Sequence, residues 1–244
     1  DRRVWLVCNG EIYNFRELRR DLEARGHRFE THSDSEVALH AYLEYGDSFV
    51  ERLNGMFGFA LWDGHRNRLL LGRDRLGIKP LYVANNGTRL AFASEAKALL
   101  ELPGVDRNLD TSAVASYLQL GYVPAPQSIF RGIRKLQPAT LLAVQDGRID
   151  ERCYWHIPQD VDQSISEADW IERLRAGMEQ SVRMQMVSDV PLGAFLSGGV
   201  DSSAVVAYMA RASTEQVKTY ALGFQGSRAD EHYNALPHAR RVAE

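Results

Sequence analysis

Leu192-Gly193-Ala194-Phe195-Leu196-Ser197-Gly198-Gly199-Val200-Asp201-Ser202-Ser203 reads as an apolar strand, a glycine-rich turn and the start of a helix. Backbone N–H groups in such a turn and at the helix N-terminus point toward whatever binds above the sheet, which favours anions. Two consecutive glycines let an anion approach without meeting a Cβ, and the hydroxyls of Ser197, Ser202 and Ser203 can donate further hydrogen bonds. Asp201 would repel a bare phosphate but suits Mg²⁺ bridging phosphates. The Gly-Lys-Ser/Thr ending of a Walker loop is missing, and so is the dinucleotide fingerprint. The bland alternative is a strand-to-helix turn with a Ser/Asp cap.

Working outward, the pattern continues as helix (Ser202 to Arg211), strand (Lys218 to Phe224) and helix (Glu231 onward). Alternating strand and helix predicts a parallel α/β sheet. Upstream, a long amphipathic helix runs from Ala168 to about Gln185, and the polar stretch 157–170, with Pro158 and several acids, reads as a linker. The reading is therefore an α/β chain of two domains, 1–156 and 171–244, joined by that linker.

The first domain mixes helices and sheets. Val4 to Val7 reads as a core strand, Phe15 to Arg25 as a helix capped by Asn14 and stopped by Gly26, and Ser35 to Tyr45 as a second helix. Met56 to Trp62, Leu69 to Arg73, Pro80 to Ala84 and Leu90 to Phe92 are short apolar runs separated by turn residues, which predicts antiparallel hairpins. Short helices are expected from Ser94 to Leu100 and Thr111 to Leu120, with a last strand from Ala139 to Val144.

Composition narrows the function classes. The 244 residues are 45% hydrophobic and 25% charged, as in ordinary globular proteins. Twenty-nine basic residues against 32 acidic ones leave a net charge of −3, without the clustered positive charge that nucleic-acid phosphates demand. No apolar run approaches the ~20 residues of a membrane span, so the expectation is a soluble, cytoplasmic protein without membrane or nucleic-acid partners. Cys8 and Cys153 are far apart and the seven histidines show no metal spacing, which argues against a disulfide framework and a zinc site. The chain opens on Asp1 within a strand pattern and closes on a helix with nothing to pack against, so it reads as a fragment cut at both ends.

Asn9-Gly10-Glu11 follows the first strand and offers a carboxamide donor, an unhindered backbone N–H and a carboxylate within three residues. Two adjacent donors are what an oxyanion hole requires, although the tripeptide alone equally describes a turn. Asp34, ahead of the second helix, fits either an N-cap or a counter-charge for a substrate ammonium. Cys8 has no free α-amine to activate it and reads as core packing. Arg73 and Asp74 read as an ion pair or hairpin clamp rather than catalytic groups.

Ser-Gly-Gly-Val-Asp-Ser resembles the pyrophosphate loop of the ATP pyrophosphatases. More broadly, 9–14, Asn54-Gly55-Met56-Phe57-Gly58-Phe59-Ala60, Gly72-Arg73-Asp74-Arg75-Leu76-Gly77-Ile78-Lys79-Pro80-Leu81-Tyr82, Ala93-Ser94-Glu95-Ala96-Lys97-Ala98-Leu99 and Tyr154-Trp155 resemble, in order, blocks of the glutamine-dependent asparagine synthetase family. The resemblance implies a four-layer α/β/β/α N-terminal-nucleophile glutaminase domain followed by part of a parallel α/β adenine-nucleotide domain. It implies that Asn9 and Gly10 form the oxyanion hole and that Glu11 and Asp34 hold the glutamine α-amino group. In the second domain it implies that Ser197, Gly198, Gly199, Asp201, Ser202 and Ser203 bind the phosphates of ATP with Mg²⁺, that Leu222 reads the adenine and that Phe195 lies against the nucleotide; the last two positions equally suit ordinary core residues. The implied reaction amidates aspartate through β-aspartyl-adenylate, in a homodimer.

The sequence departs from the family pattern in several places. The family's nucleophilic cysteine, the arginine that grips the glutamine carboxylate and the downstream Ser-Gly-x-Gly-x-Asp-Glu-type segment are not in this stretch, so the fragment itself is expected to be inactive in both half-reactions. Pro138-Ala139 stands where the family has Pro-Gly. Two other functions remain open: a paralogue amidating another acid, such as a sugar acid, and a non-catalytic nucleotide-binding relative.

Overall fold

A computed structural model describes residues 3–223 and 234–244. Within it the chain divides into two compact units, Asp1–Pro158 and Gln159–Glu244.

The first unit is built on strands β1 (Val4–Ile12), β2 (Gly55–Asp63), β3 (Arg68–Arg73), β7 (Thr140–Gln145) and β8 (Arg148–Cys153), hydrogen-bonded in the order β1-β2-β3-β7-β8. All four pairings are antiparallel. A second sheet orders β5 (Leu90–Ala93), β4 (Tyr82–Asn85) and β6 (Arg134–Lys135). The period of two along each strand sends alternate side chains to opposite faces and so creates the layers. Phe57, Phe59 and Leu61 of β2 and Leu141 and Ala143 of β7 pack on α1 (Phe15–Ala24), α2 (Asp34–Tyr45) and α3 (Phe49–Arg52). Ala60, Leu71 and Leu142, from the opposite face, meet Leu81, Val83 and Leu136 between the sheets. Tyr82 and Ala84 flank Val83 and point the other way, onto Leu99 of α4 (Ala96–Leu100). The result is a four-layer α/β/β/α sandwich. Leu61, Leu70 and Leu142 are fully buried in it, each stabilising the fold by about 1.5–3 kcal/mol. Helix α5 (Thr111–Leu120) falls where the pattern placed it, capped by Asp110, which accepts from Ser112 and Ala113 N–H, and ended by Gly121 in the left-handed region.

The sequence reading differs from this structure in identifiable ways. β1 does not end at Val7 but runs through Asn9-Gly10-Glu11, paired with β2 along its whole length. β8 went unread because Arg148-Ile149-Asp150-Glu151-Arg152-Cys153 is an edge strand whose charged side chains face water. Asn14 does not cap α1 with its side chain. Its Nδ2 donates to Arg52 O at 2.9 Å and its Oδ1 accepts from Asn54 N–H at 2.9 Å, tying the start of α1 to the start of β2.

In the second unit, β9 (Gly193–Phe195) and β10 (Lys218–Tyr220) are parallel and α7 (Val200–Ala212) connects them, as the alternating pattern predicts. The preceding α6 (Glu167–Gln185) begins within the stretch read as linker. Helix α8 (Leu236–Ala243) completes a small core of Leu196, Val206 and Ala239. Phe224 and the predicted helix start at Glu231 lie outside the described residues.

Candidate functional site

Two groups of residues carry the predicted chemistry, one in each unit. In the first, Asn9, Gly10 and Glu11 stand opposite Gly58, Phe57 and Met56 of β2. A Cβ on Gly10 would lie 2.0 Å from Met56 O and 2.6 Å from Phe57 Cα, so only glycine lets the two backbones meet here. Asn9, on the opposite face from the buried Ile12, is exposed and lines a cavity of about 260 Å³ with Cys8, Gly58, Leu81, Phe92 and Ser94. Among the described residues, its carboxamide makes no hydrogen bond.

Asp34 joins this strand end from 22 positions away: the Ile12 N–H donates to its Oδ2 at 2.7 Å. It is therefore not the plain N-cap. That position belongs to Ser33, whose hydroxyl accepts from Ser35 N–H at 3.2 Å. Cys8 registers the surrounding charge. Its thiol is pushed up to about 11, chiefly by burial and next by the Asp34 carboxylate, with Glu11 adding and a Ser35 hydrogen bond and Lys79 opposing. A thiol so shifted and packed against the first core is no nucleophile near neutrality. The structure thus brings Asn9, Gly10, Glu11 and Asp34 to one end of β1.

Arg73 and Asp74, at the end of β3, form the hairpin clamp. Arg73 is buried and donates to Lys79 O at 2.8 Å, Leu136 O at 2.6 Å and Gly77 O at 2.7 Å. The Asp74 carboxylate accepts from Phe57, Leu76, Ile78 and Lys79 N–H at 3.2, 3.1, 2.9 and 2.9 Å. Tyr154 O–H adds a bond to Arg73 O at 2.7 Å. The clamp fixes the loop that follows β3 against β2, next to the strand carrying Gly10.

In the second unit the loop after β9 is held by its own serines. Ser197 Oγ and Ser202 Oγ are 3.0 Å apart, Gly199 N–H donates to Ser197 Oγ at 3.4 Å, and Ser203 N–H donates to Gly199 O at 3.0 Å. Gly198 has φ +77°, and a Cβ there would lie 2.4 Å from the His238 carbonyl carbon, so α8 presses directly on the turn. Ser203 Oγ is buried with no hydrogen-bond partner among the described residues. Among the described residues, Phe195 and Leu222 are 78% and 73% exposed. Asp201 is exposed in the first turn of α7. Among the described residues no three His, Cys, Asp or Glu side chains are grouped to hold a metal ion. A lone carboxylate suits Mg²⁺ that a polyphosphate largely ligates, not a cation caged by protein alone.

Residues that the sequence reading passed over also shape the first site. Glu36 accepts from Glu30 and Thr31 N–H at 2.7 Å each and from Thr31 O–H at 2.5 Å. The spacing Ser33-Asp34-Ser35-Glu36, a capping-box pattern, was the available signal.

The first unit is thus a four-layer α/β/β/α sandwich with a carboxamide, a glycine and two carboxylates at one end of its first strand. The chain belongs to the glutamine amidotransferase domain family, whose model matches residues 1–155; residues 173–244 match the asparagine synthase family. It is 37% identical over 235 residues to asparagine synthetase [glutamine-hydrolyzing] 3 of Bacillus subtilis, covering 94% of this chain and 38% of that protein. Asparagine synthetase [glutamine-hydrolyzing] 1 of the same organism is 37% identical over 92% of this chain and 35% of its own length. The chain thus spans little more than a third of the length of these relatives. Among solved structures, the B. subtilis glutamine phosphoribosylpyrophosphate amidotransferase aligns with a TM-score of 0.44 at 17% identity, over 94% of this chain and 50% of that one.

Proposed function

We propose that the protein containing this chain is a glutamine-hydrolysing asparagine synthetase, which converts ATP, aspartate and glutamine into asparagine, glutamate, AMP and pyrophosphate. The observation that carries the glutaminase half is the Asp34–Ile12 hydrogen bond, which sets a second carboxylate beside Asn9-Gly10-Glu11. Asn9 Nδ2 and Gly10 N–H donate to the oxyanion of the tetrahedral intermediate on the glutamine carboxamide, where charge develops as the carbonyl is attacked. Glu11 and Asp34 hold the α-ammonium and so place the carboxamide over those donors. Cys8 takes no part in the attack.

In the synthetase half, Ser197, Gly198, Gly199, Asp201, Ser202 and Ser203 bind the β,γ-phosphates of ATP at the N-terminus of α7. Phe195 and Leu222 face the nucleotide, a reading supported by their exposure and by their place at the end of β9 and just past β10, on the side where the loop lies. Asp201 would supply one oxygen to Mg²⁺ held mainly by the triphosphate, and such an ion would lower the charge on the phosphates. The aspartate carboxylate attacks the α-phosphorus, and ammonia released from glutamine displaces AMP from the acyl-adenylate. The reading places this enzyme in the cytoplasm as a homodimer acting on small molecules and not on nucleic acid. No helix among the described residues is long and apolar enough to cross a membrane.

The test is to incubate the full-length protein with glutamine, ATP, Mg²⁺ and a panel of carboxylic acids, following amide products by mass spectrometry and pyrophosphate release. Asparagine formed from aspartate supports the proposal. An amide from another acid but none from aspartate would replace it with a paralogous amidotransferase, and no pyrophosphate with any acid would point to a non-catalytic relative.

A further inference from the structure

The sequence Ser33-Asp34-Ser35-Glu36 has the spacing of a capping box, in which the glutamate three residues past the N-cap turns back onto the N-cap residue's own N–H. The structure does something else. The Ser33 N–H donates to Thr31 Oγ1 at 3.2 Å, and that same hydroxyl donates to Glu36 Oε2 at 2.5 Å. Glu36 bypasses the cap and grips the preceding segment, taking the N–H groups of Glu30 and Thr31 at 2.7 Å each. Both of its oxygens are thus committed to the approach to α2 and neither to the Ser33 N–H.

What this grip controls is the residue immediately after Ser33. Asp34 stands between the clamped segment and β1, and its Oδ2 accepts from Ile12 N–H at 2.7 Å. Its Oδ1 is 3.3 Å from Ser35 Oγ. The backbone entering Asp34 is therefore set by a chain of hydrogen bonds: Glu36 to Thr31, and Thr31 to Ser33. The Glu36 side chain is only 15% exposed, and His40 Nε2 stands 3.8 Å from its Oε1. Burial by itself would raise its carboxyl, yet the Thr31 hydroxyl, the two N–H groups and His40 together hold it below the usual glutamate value, so it is an anion when it makes these bonds.

We propose that Glu36 is a positioning residue for glutamine: acting through Thr31, it holds the Phe29–Ser33 segment so that the Asp34 carboxylate meets the substrate α-ammonium. The inference rests on the glutaminase reading of the site. It assigns Glu36 no contact with substrate and no part in the attack on the carboxamide.

The experiment compares Glu36→Gln, Thr31→Val, Thr31→Ser and Asp34→Asn in the full-length enzyme, with glutamine and, separately, with ammonium as nitrogen source, together with Tm. Gln keeps the side-chain shape but turns one acceptor into a donor facing donors. The expected result is a rise of about tenfold in KM for glutamine with kcat changed less than twofold, the loss of ground-state positioning that one charged hydrogen bond accounts for. Ammonium-supported synthesis stays at the parent value even where Tm falls with the lost hydrogen bonds. Thr31→Val raises the glutamine KM several-fold and Thr31→Ser restores it, because only the hydroxyl relays the grip to Ser33. If Asp34→Asn raises the glutamine KM while Glu36→Gln and Thr31→Val leave it unchanged, the positioning role is overturned and the glutaminase reading survives. A parallel fall in ammonium-supported rate and Tm in Glu36→Gln, with Thr31→Val silent, would reduce Glu36 to general stability and also overturn it. If Asp34→Asn itself leaves glutamine use unaltered, the reading of the site fails and the inference falls with it.

Discussion

Asp74→Asn tests how the loop after β3 is built. The Asp74 carboxylate is 1% exposed and accepts four backbone N–H groups, Leu76 and Ile78 on Oδ1 and Phe57 and Lys79 on Oδ2. Asparagine preserves one oxygen and replaces the other with an NH₂ that faces two N–H donors, so two bonds are lost and two buried donors go unsatisfied. With each bond to a charged acceptor contributing about 1.5–3 kcal/mol, the loss is about 4 kcal/mol. The buried Arg73 guanidinium also loses the anion that favours its charged form, which adds to the cost. Since a domain of this size has roughly 5–15 kcal/mol of stability, the variant should be folded but marginal. Equilibrium urea unfolding, followed through Trp5, Trp62 and Trp155, would show the midpoint falling at constant m-value. Hydrogen exchange would locate the loosening at residues 74–82. Leu76→Ala, at a tip that is 63% exposed, serves as the control and should stay within about 0.5 kcal/mol of the parent. A loss below about 1 kcal/mol for Asp74→Asn, with unchanged m, would mean that the four N–H groups find other acceptors and that the clamp argument is wrong.

Three further outcomes follow from the same geometry. With its pKa at about 11, Cys8 should resist a thiol reagent at pH 8 in the native state while the exposed Cys153 reacts, so a titration should count one fast thiol and reveal the second only on unfolding. Because the folded Cys8 thiol titrates above the unfolded one, its contribution to stability is complete below the unfolded value of roughly 8.5 and is lost as pH rises toward about 11. Tyr42 O–H donates to Asp63 Oδ2 at 2.7 Å in the core, and Asp63 is held below the ordinary carboxylate value, since the Tyr42, Arg66 and His65 hydrogen bonds outweigh the burial that would raise it. Its stabilisation is present above the unfolded aspartate value near ~3.9 and lost as pH falls through the lower folded one; Tyr42→Phe should cost about 1.5–3 kcal/mol and flatten this acid limb of the stability profile. Gly198→Ala should strain the positive-φ turn by about 1–2 kcal/mol and push α8 off it, seen as faster hydrogen exchange in Leu236–Ala243 than in α7; equal exchange in both helices would refute the packing argument.

How much of this was legible from residue order depends on the range of the interaction concerned. Strand and helix patterns announced themselves where burial imposes a period, as in Phe57, Phe59 and Leu61 of β2 or Leu18 and Leu22 of α1, since each position is then fixed by its own neighbours. β8 gave no such signal, because an edge strand pairs through its backbone while Arg148, Asp150 and Arg152 stay wet or reach outward, Arg152 to Glu51 at 3.0 Å. The site divides the same way. Asn9-Gly10-Glu11 and the serine-glycine loop are contiguous and could be picked out, whereas the requirement for glycine at position 10 comes from Met56 O, 46 positions away in the chain and invisible until β1 and β2 are paired. Asp34 shows the limit most clearly. Its local context argued for a helix cap, and the local argument was sound as far as it went, since a cap does exist there; but Ser33 fills it, which releases the Asp34 carboxylate for Ile12. A side chain freed from a local duty by its neighbour is available for a long-range one. The same logic governs Glu36, released from Ser33 because Thr31 satisfies that N–H. In this short segment each polar group is displaced one step from the partner that its spacing suggests, and the net effect of these displacements is a carboxylate delivered to the end of the first strand.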